Sequence, residues 1–128
     1  MTAAPRMPRP PAAARGPALL PSIHACYGVV LVAAPGAVIR LATGQPSGRR
    51  ERGIARLLGA RHLVQAAITA LAPVPGVLAA GAGVDTLHTT SMIMLAAADR
   101  HVRRAALTDA LAESLFAVAG FSSARMLG

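Results

Sequence analysis

The sequence has no lysine and no tryptophan, and its 128 residues include only one tyrosine and two phenylalanines. A soluble core of this size normally uses several aromatic rings, because each ring buries a large area. Here alanine, leucine, valine and glycine supply the apolar surface, and hydrophobic residues make up 54% of the chain. Small apolar residues suit helices that pack closely in a bilayer, where van der Waals contact drives association.

Cysteine is nearly absent as well, since Cys26 is the only one. A single cysteine excludes a disulfide within the chain and a metal cluster held by several thiolates. We therefore expect Cys26 to serve as a small apolar packing residue.

Acidic residues are also scarce: five stand against 13 basic residues, all of them arginine, for a formal net charge of +8. A basic chain can bind nucleic acid. However, these arginines lie in short loops between apolar runs, without stacking aromatic residues among them. This distribution is typical of the loops of a membrane protein. We therefore expect a lipid bilayer, and not nucleic acid, as the partner of this chain.

Four apolar segments follow a tail at residues 1–17, which we predict to be disordered because it holds five prolines and little apolar bulk. Pro35 should kink the first helix. The third segment is long enough to cross a bilayer alone, whereas the fourth can either cross or lie along the surface. We predict helices at about residues 18–42, 53–72, 74–98 and 105–121, and a short C-terminal tail at residues 122–128.

Together these segments predict an all-α fold, namely a four-helix transmembrane bundle with a central helical hairpin. The hairpin turns at Pro73–Gly76, where proline and glycine interrupt two apolar helices. The predicted location is the bacterial inner (plasma) membrane, with several passes. A second copy of the chain or another membrane protein is a possible further partner.

The polar residues of this hairpin are matched in depth. Counting outward from the turn at 1.5 Å per residue places Arg61 level with His88, and Gln65 level with Asp85. Folding about the next loop brings Glu113 near the depth of His88 and leaves Asp109 closer to the loop. The sequence thus predicts one buried polar cluster, formed by Arg61, His62, Gln65, Asp85, His88 and Glu113.

Three interpretations of this cluster stay open. In the first, Arg61 and Asp85 form an ion pair that only fixes helix packing, because an unpaired charge in lipid costs several kcal/mol. The protein then has a structural or interaction role. In the second, the cluster around Arg61, Asp85 and His88 binds or transports a proton, an ion or a small solute, since histidine exchanges protons near neutral pH.

The third interpretation is a metal site. Asp85 and His88 lie on one helical face, and His62 and Glu113 can complete a set of nitrogen and oxygen ligands suited to zinc, iron or manganese. This spacing is common by chance, so we assign no metal ligand and predict no cofactor. No serine has a nucleophile-elbow context either, so we assign no catalytic residue and do not expect an enzyme.

The segments R56-L-L-G-A-R61 and D85-T-L-H88 carry a resemblance to a known group. They are similar to the R-x-L-G-x-R…D-x-x-H pattern of small, uncharacterised four-helix integral membrane proteins of high-GC bacteria. The resemblance covers roughly residues 27–121 and implies a four-helix membrane domain, without implying an activity. The matching positions are Arg56, Gly59, Arg61, Asp85 and His88.

Overall fold

A computed structural model describes residues 16–128, with side chains from residue 19 onward. The predicted disordered tail lies outside this range, except for Gly16 and Pro17, which begin the first helix. Within the described residues there is no strand, and the all-α prediction is confirmed for them. The five helices are α1 (Gly16–Ala33), α2 (Pro35–Thr43), α3 (Arg49–Leu71), α4 (Pro75–Ala98) and α5 (Arg103–Leu127).

The first predicted helix is two helices, because α1 stops at Ala33 and α2 leaves it at an angle of 97°. Pro35 has no backbone N–H to continue the hydrogen-bond ladder of α1, yet it is well tolerated as the first residue of α2. The expected kink is therefore a complete break. Gly44 ends α2 with a positive φ of 74°, and its N–H donates to the Arg40 carbonyl over 2.8 Å.

The start of α3 is set by a side chain that the sequence pattern predicts to lie in a loop. The Glu51 carboxylate accepts a hydrogen bond of 2.5 Å from the Gly48 N–H. A carboxylate in the first turn also interacts favourably with the helix dipole. Consequently α3 begins at Arg49, ahead of the predicted residue 53. Pro75 occupies the first turn of α4, close to the predicted boundary.

The far end of α5 requires a correction, because the predicted tail at residues 122–128 is helical as far as Leu127. Ser123 is buried, and Ala124 packs against the apolar cluster that contains Leu78 and Phe116. The helix continues past Phe121 because its last turns have a surface to pack on.

The helices associate in two closely packed pairs, α1 with α3 and α4 with α5. Small residues allow the two helices of each pair to pack closely. A Cβ atom added at Gly28 would lie 2.7 Å from the Gly59 carbonyl oxygen, and one added at Gly120 would lie 2.9 Å from the Ala82 Cβ. The predicted hairpin of α3 and α4 is therefore corrected: its two arms belong to different pairs and meet mainly through side chains.

Among the described residues, α5 alone is long and apolar enough to cross a membrane as a single helix, and α1 with α2 qualifies only if the bent pair is one span. The fourth segment, predicted as the least certain span, is thus the clearest candidate. The third segment, α4, which was expected to cross alone, is not a candidate by itself. Six of the seven residues from Asp85 to Ser91 are polar and interrupt its apolar run. By length and composition, residues 16–128 form five helices with one candidate span, or two if α1 and α2 together are one span.

Candidate functional site

The interior of the protein is unusually polar. Among the side chains described from residue 19 onward, five large ones are less than 2% exposed. Four of these are ionisable, namely His24, His62, Asp85 and Glu113, and the fifth is Leu78. Charged residues are almost never fully buried unless they are paired. The candidate site is therefore this interior cluster, where a soluble protein would place apolar side chains.

Arg61 on α3 lies at the centre of the cluster. Its Nη1 donates a hydrogen bond of 2.9 Å to the Glu113 Oε1 on α5, and its Nη2 donates to the Asp85 Oδ1 on α4. The two carboxylates are 0% and 1% exposed, whereas Arg61 is 24% exposed. Charge-assisted bonds of this kind are about twice as strong as neutral ones. One guanidinium thus joins the α1–α3 pair to the α4–α5 pair.

Gln65 lies one turn beyond Arg61 and supports the same carboxylate. Its Nε2 donates to both oxygens of Asp85, over 3.0 and 3.2 Å. A Cβ atom added at Gly81 would lie 3.0 Å from this Nε2. The missing side chain at Gly81 therefore gives the Gln65 amide the space from which it reaches Asp85.

Two histidine rings fill the space beside the carboxylates. The His24 Nε2 lies 3.6 Å from the Asp85 Oδ2, and the His62 Nε2 lies 2.8 Å from the Glu113 Oε1. Both rings contact Phe116, with centroid distances of 4.1 Å for His24 and 5.2 Å for His62. The aromatic contacts hold the imidazoles in place next to the acids.

His24 was missed by the sequence analysis, although a signal for it existed. It is the only acidic or basic residue in the apolar segment between Ile23 and Ile39. An ionisable residue inside a predicted span marks the bundle interior by default. Cys26, two residues later, requires a correction, since it is exposed on the outside of α1 rather than packed inside.

His88 forms a second pair, which the sequence analysis did not predict. Its Nε2 lies 2.7 Å from the Asp109 Oδ2, and both side chains are 18% exposed. Asp109 precedes Glu113 by one helical turn, so the two carboxylates share a face of α5. His88, Asp109 and Glu113 each offer a ligand atom, and these atoms lie within 4.8 Å of one another. The ligand set considered from sequence differed, since it used Asp85 and His62.

Several buried polar atoms of the described residues have no hydrogen-bond partner. They include the Nδ1 atoms of His24 and His62, the Oε2 of Glu113 and the Oγ1 of Thr89. Buried polar groups are normally satisfied by protein, water or ions. The cluster therefore has capacity for a further bound species.

The formal charges of the cluster do not balance. Arg61 supplies one positive charge, whereas Asp85, Asp109 and Glu113 supply three negative charges. With the histidines neutral, the cluster together with the partly exposed Asp109 has two more negative than positive charges. Uncompensated charge in a low-dielectric interior is costly, so the cluster favours the uptake of positive charge.

No protein-family model, no curated protein and no solved structure matches this chain. The resemblance to small four-helix membrane proteins therefore stays an expectation from the R-x-L-G-x-R…D-x-x-H pattern. Function is argued from the site, because a helical fold alone hosts many functions.

Proposed function

We propose that this chain is a multi-pass protein of the bacterial inner membrane, with four spans when the bent pair α1 and α2 is counted as one. In this proposal the charge cluster around Arg61 fixes the packing of the two helix pairs. Its role is structural or interactive, toward a second copy or another membrane protein, and not catalytic. The observation that carries the proposal is an inverted distribution of polarity, with ionisable side chains inside and large apolar side chains outside.

The apolar exterior supports a lipid environment. Among the described residues, 23 large hydrophobic side chains are exposed and only four, Leu20, Leu31, Leu78 and Phe116, are buried. Such an exterior would promote aggregation in water, whereas a bilayer solvates it. On α5 the exposed residues form a continuous stripe, namely Leu107, Leu111, Leu115 and Val118.

The lengths of the long helices fit a bilayer as well. The helices α3, α4 and α5 have 23, 24 and 25 residues. At 1.5 Å per residue each is roughly 35 Å long, enough for a hydrocarbon layer of about 30 Å. Composition counts against α3, whose charged residues are Arg61 and five residues between Arg49 and Arg56, and against α4 because of Asp85. The residues at 49–56 lie in the first turns of α3, at its end. Arg61 and Asp85 bond to each other between the helix pairs and do not require contact with lipid.

Arginine placement supports a defined orientation. Eight of the 13 arginines lie between Arg40 and Arg56 or between Arg100 and Arg104. In an up-and-down arrangement these two segments fall at the same end. An excess of arginine in short loops favours the cytoplasmic side, so we place that end in the cytoplasm.

The single cysteine provides a direct test of the membrane placement. Cys26 is exposed near the middle of α1, so in intact membranes a water-soluble maleimide should label it only after the membrane is dissolved. The matched control is Ser47→Cys in a Cys26→Ser background, which places the thiol in the loop before α3 and should be labelled in one vesicle orientation. Equal labelling of both thiols, together with release of the protein by alkaline carbonate, would overturn the placement.

The structural role has its own test. Asp85→Asn should lower the abundance or assembly of the protein in membranes without changing ion or solute flux in proteoliposomes. A second candidate function is binding or transport of a proton, an ion or a small solute at Arg61, Asp85 and His88, which the excess negative charge of the cluster favours. A folded Asp85→Asn protein with altered uptake would support this second candidate and contradict a purely structural role.

A further inference from the structure

We infer that His88, Asp109 and Glu113 form a binding site for one divalent transition-metal cation. The three residues offer one imidazole nitrogen and two carboxylate oxygens, all within 4.8 Å of one another. The inference does not depend on the membrane placement, because the same three side chains would meet in a bundle surrounded by water.

The backbone already holds these ligands close to their binding positions. His88 lies on α4 and Asp109 on α5, the two helices of one closely packed pair. Metal–ligand bonds of about 2.0–2.2 Å require ligand atoms roughly 3 to 3.5 Å apart. The present separation of the His88 Nε2 from the Asp109 Oδ2 is 2.7 Å. Side-chain rotations that open this contact and bring in Glu113, whose ligand atom lies within 4.8 Å of the other two, would admit a cation.

The Glu113 side chain gives a second, independent observation that points to a ligand. Its side chain is 0% exposed, and its Oε1 accepts a hydrogen bond from Arg61 and lies 2.8 Å from the His62 Nε2. Among the described residues its Oε2 has no hydrogen-bond partner. Leaving a buried acceptor unsatisfied costs free energy. A cation bound through Oε2 would satisfy this oxygen, and Arg61 and His62, which contact Oε1, would orient the carboxylate as outer-shell partners.

Charge and ligand type narrow the class of cation. The cluster lacks two positive charges when its histidines are neutral, and a divalent cation supplies both. A mixed set of imidazole and carboxylate ligands suits zinc, manganese or iron(II) better than magnesium or calcium, which prefer oxygen ligands only. His88 and Asp109 are each 18% exposed, so the site can be reached from outside.

Metal titration tests this inference. The full chain is purified in detergent without a polyhistidine tag, treated with a chelator and titrated with Co²⁺ or Zn²⁺. We expect one equivalent bound per chain. His88→Gln and Asp109→Asn should each weaken the binding by at least about 10-fold to 100-fold, the loss that is typical when only an outer-shell partner is removed. The matched controls are His101→Gln and Asp99→Asn, which remove the same side-chain types from the loop between α4 and α5 and should bind as the wild type does.

Two results would overturn the inference: substoichiometric binding by the wild type, or equal binding by the site variants and the loop variants. If a site variant loses its helical circular dichroism, X-ray absorption on the zinc-loaded wild type decides instead. A first shell of nitrogen and oxygen atoms with one imidazole supports the site, and a shell with sulfur from Cys26 or without imidazole overturns it. Failure of the membrane test would leave these expectations unchanged.

Discussion

Arg61 on α3 and Glu113 on α5 are 52 residues apart in sequence, yet a hydrogen bond of 2.9 Å joins their side chains in the interior. The same guanidinium bonds to Asp85 on α4. Three of the four long helices, namely α3, α4 and α5, thus meet at the Arg61 guanidinium. Because the Asp85 and Glu113 carboxylates are almost fully buried, the stability of the folded protein should depend strongly on Arg61.

Replacing Arg61 with methionine should lower the free energy of unfolding by about 3–5 kcal/mol, because two buried carboxylates lose their partner. Denaturant titration in detergent micelles measures this change. The control is Arg104→Met, which removes an exposed arginine and should change stability by less than about 0.5 kcal/mol. The combination of Arg61→Met with Asp85→Asn and Glu113→Gln should recover part of the loss. A triple variant no more stable than Arg61→Met would contradict the pairing role.

Because α1 and α3 pack closely at Gly59, we expect alanine substitutions at two glycines of α3 to have opposite effects on stability. A Cβ atom at Gly59 would lie 2.7 Å from the Gly28 carbonyl oxygen, whereas one at Gly53 would meet nothing within 4 Å. Gly59→Ala should therefore destabilise the protein by about 1–3 kcal/mol through overpacking. Gly53→Ala should stabilise it by about 0.5–1 kcal/mol through helix propensity. Thermal unfolding of both variants is the measurement, and effects of the same sign would count against this crossing.

A third prediction concerns the space beside Gln65. Gly81→Ala should displace the Gln65 amide from Asp85 and cost about 0.5–1.5 kcal/mol, the usual net value of a hydrogen bond. In a Gln65→Ala background the same substitution should be nearly neutral, so a double-mutant cycle should show positive coupling. Gly83→Ala is the matched control, because a Cβ atom there meets nothing within 4 Å. Equal costs of Gly81→Ala in both backgrounds would show that the glycine does not serve Gln65.

The packing of the last turns of α5 leads us to expect different stabilities for two C-terminal truncations. Ending the chain after Phe121 removes Ser123 and Ala124, which are packed against the interior. We expect a lower Tm and a lower yield of monodisperse protein. Ending the chain after Arg125 removes the exposed Met126 and Leu127 and should leave Tm nearly unchanged. Two truncations of equal stability would contradict the packing role of this segment.

Much of the membership of the polar cluster can be predicted from the number of residues that separate each polar residue from the turn. The rise of an α-helix is constant, so distance from the Pro73–Gly76 turn gives the depth of each residue. This reasoning placed Gln65 level with Asp85, and the two side chains are hydrogen-bonded. It also placed His88 near Glu113, and their ligand atoms lie within 4.8 Å of each other and of Asp109.

Depth alone does not say which helices are neighbours. The turn suggested that α3 and α4 pack along each other, whereas α3 packs on α1 and α4 on α5. The sequence pattern also did not predict the rotation of each helix about its own axis, which decides the direction in which each side chain points. His24 points inward to Asp85, Cys26 points outward, and His88 contacts Asp109 rather than Arg61.

The sequence by itself determined the helical class, most helix boundaries and the distance of each polar residue from the turn. Proline and glycine end helices locally, and the rise per residue of a helix is constant. Only the tertiary structure decided the pairing and rotation of the helices. Those depend on where small residues let two backbones approach, at Gly28 with Gly59 and at Ala82 with Gly120. The contacts of Arg61 with Asp85 and Glu113 then follow, since a buried charge is tolerated only where the packing brings its partners within hydrogen-bond distance.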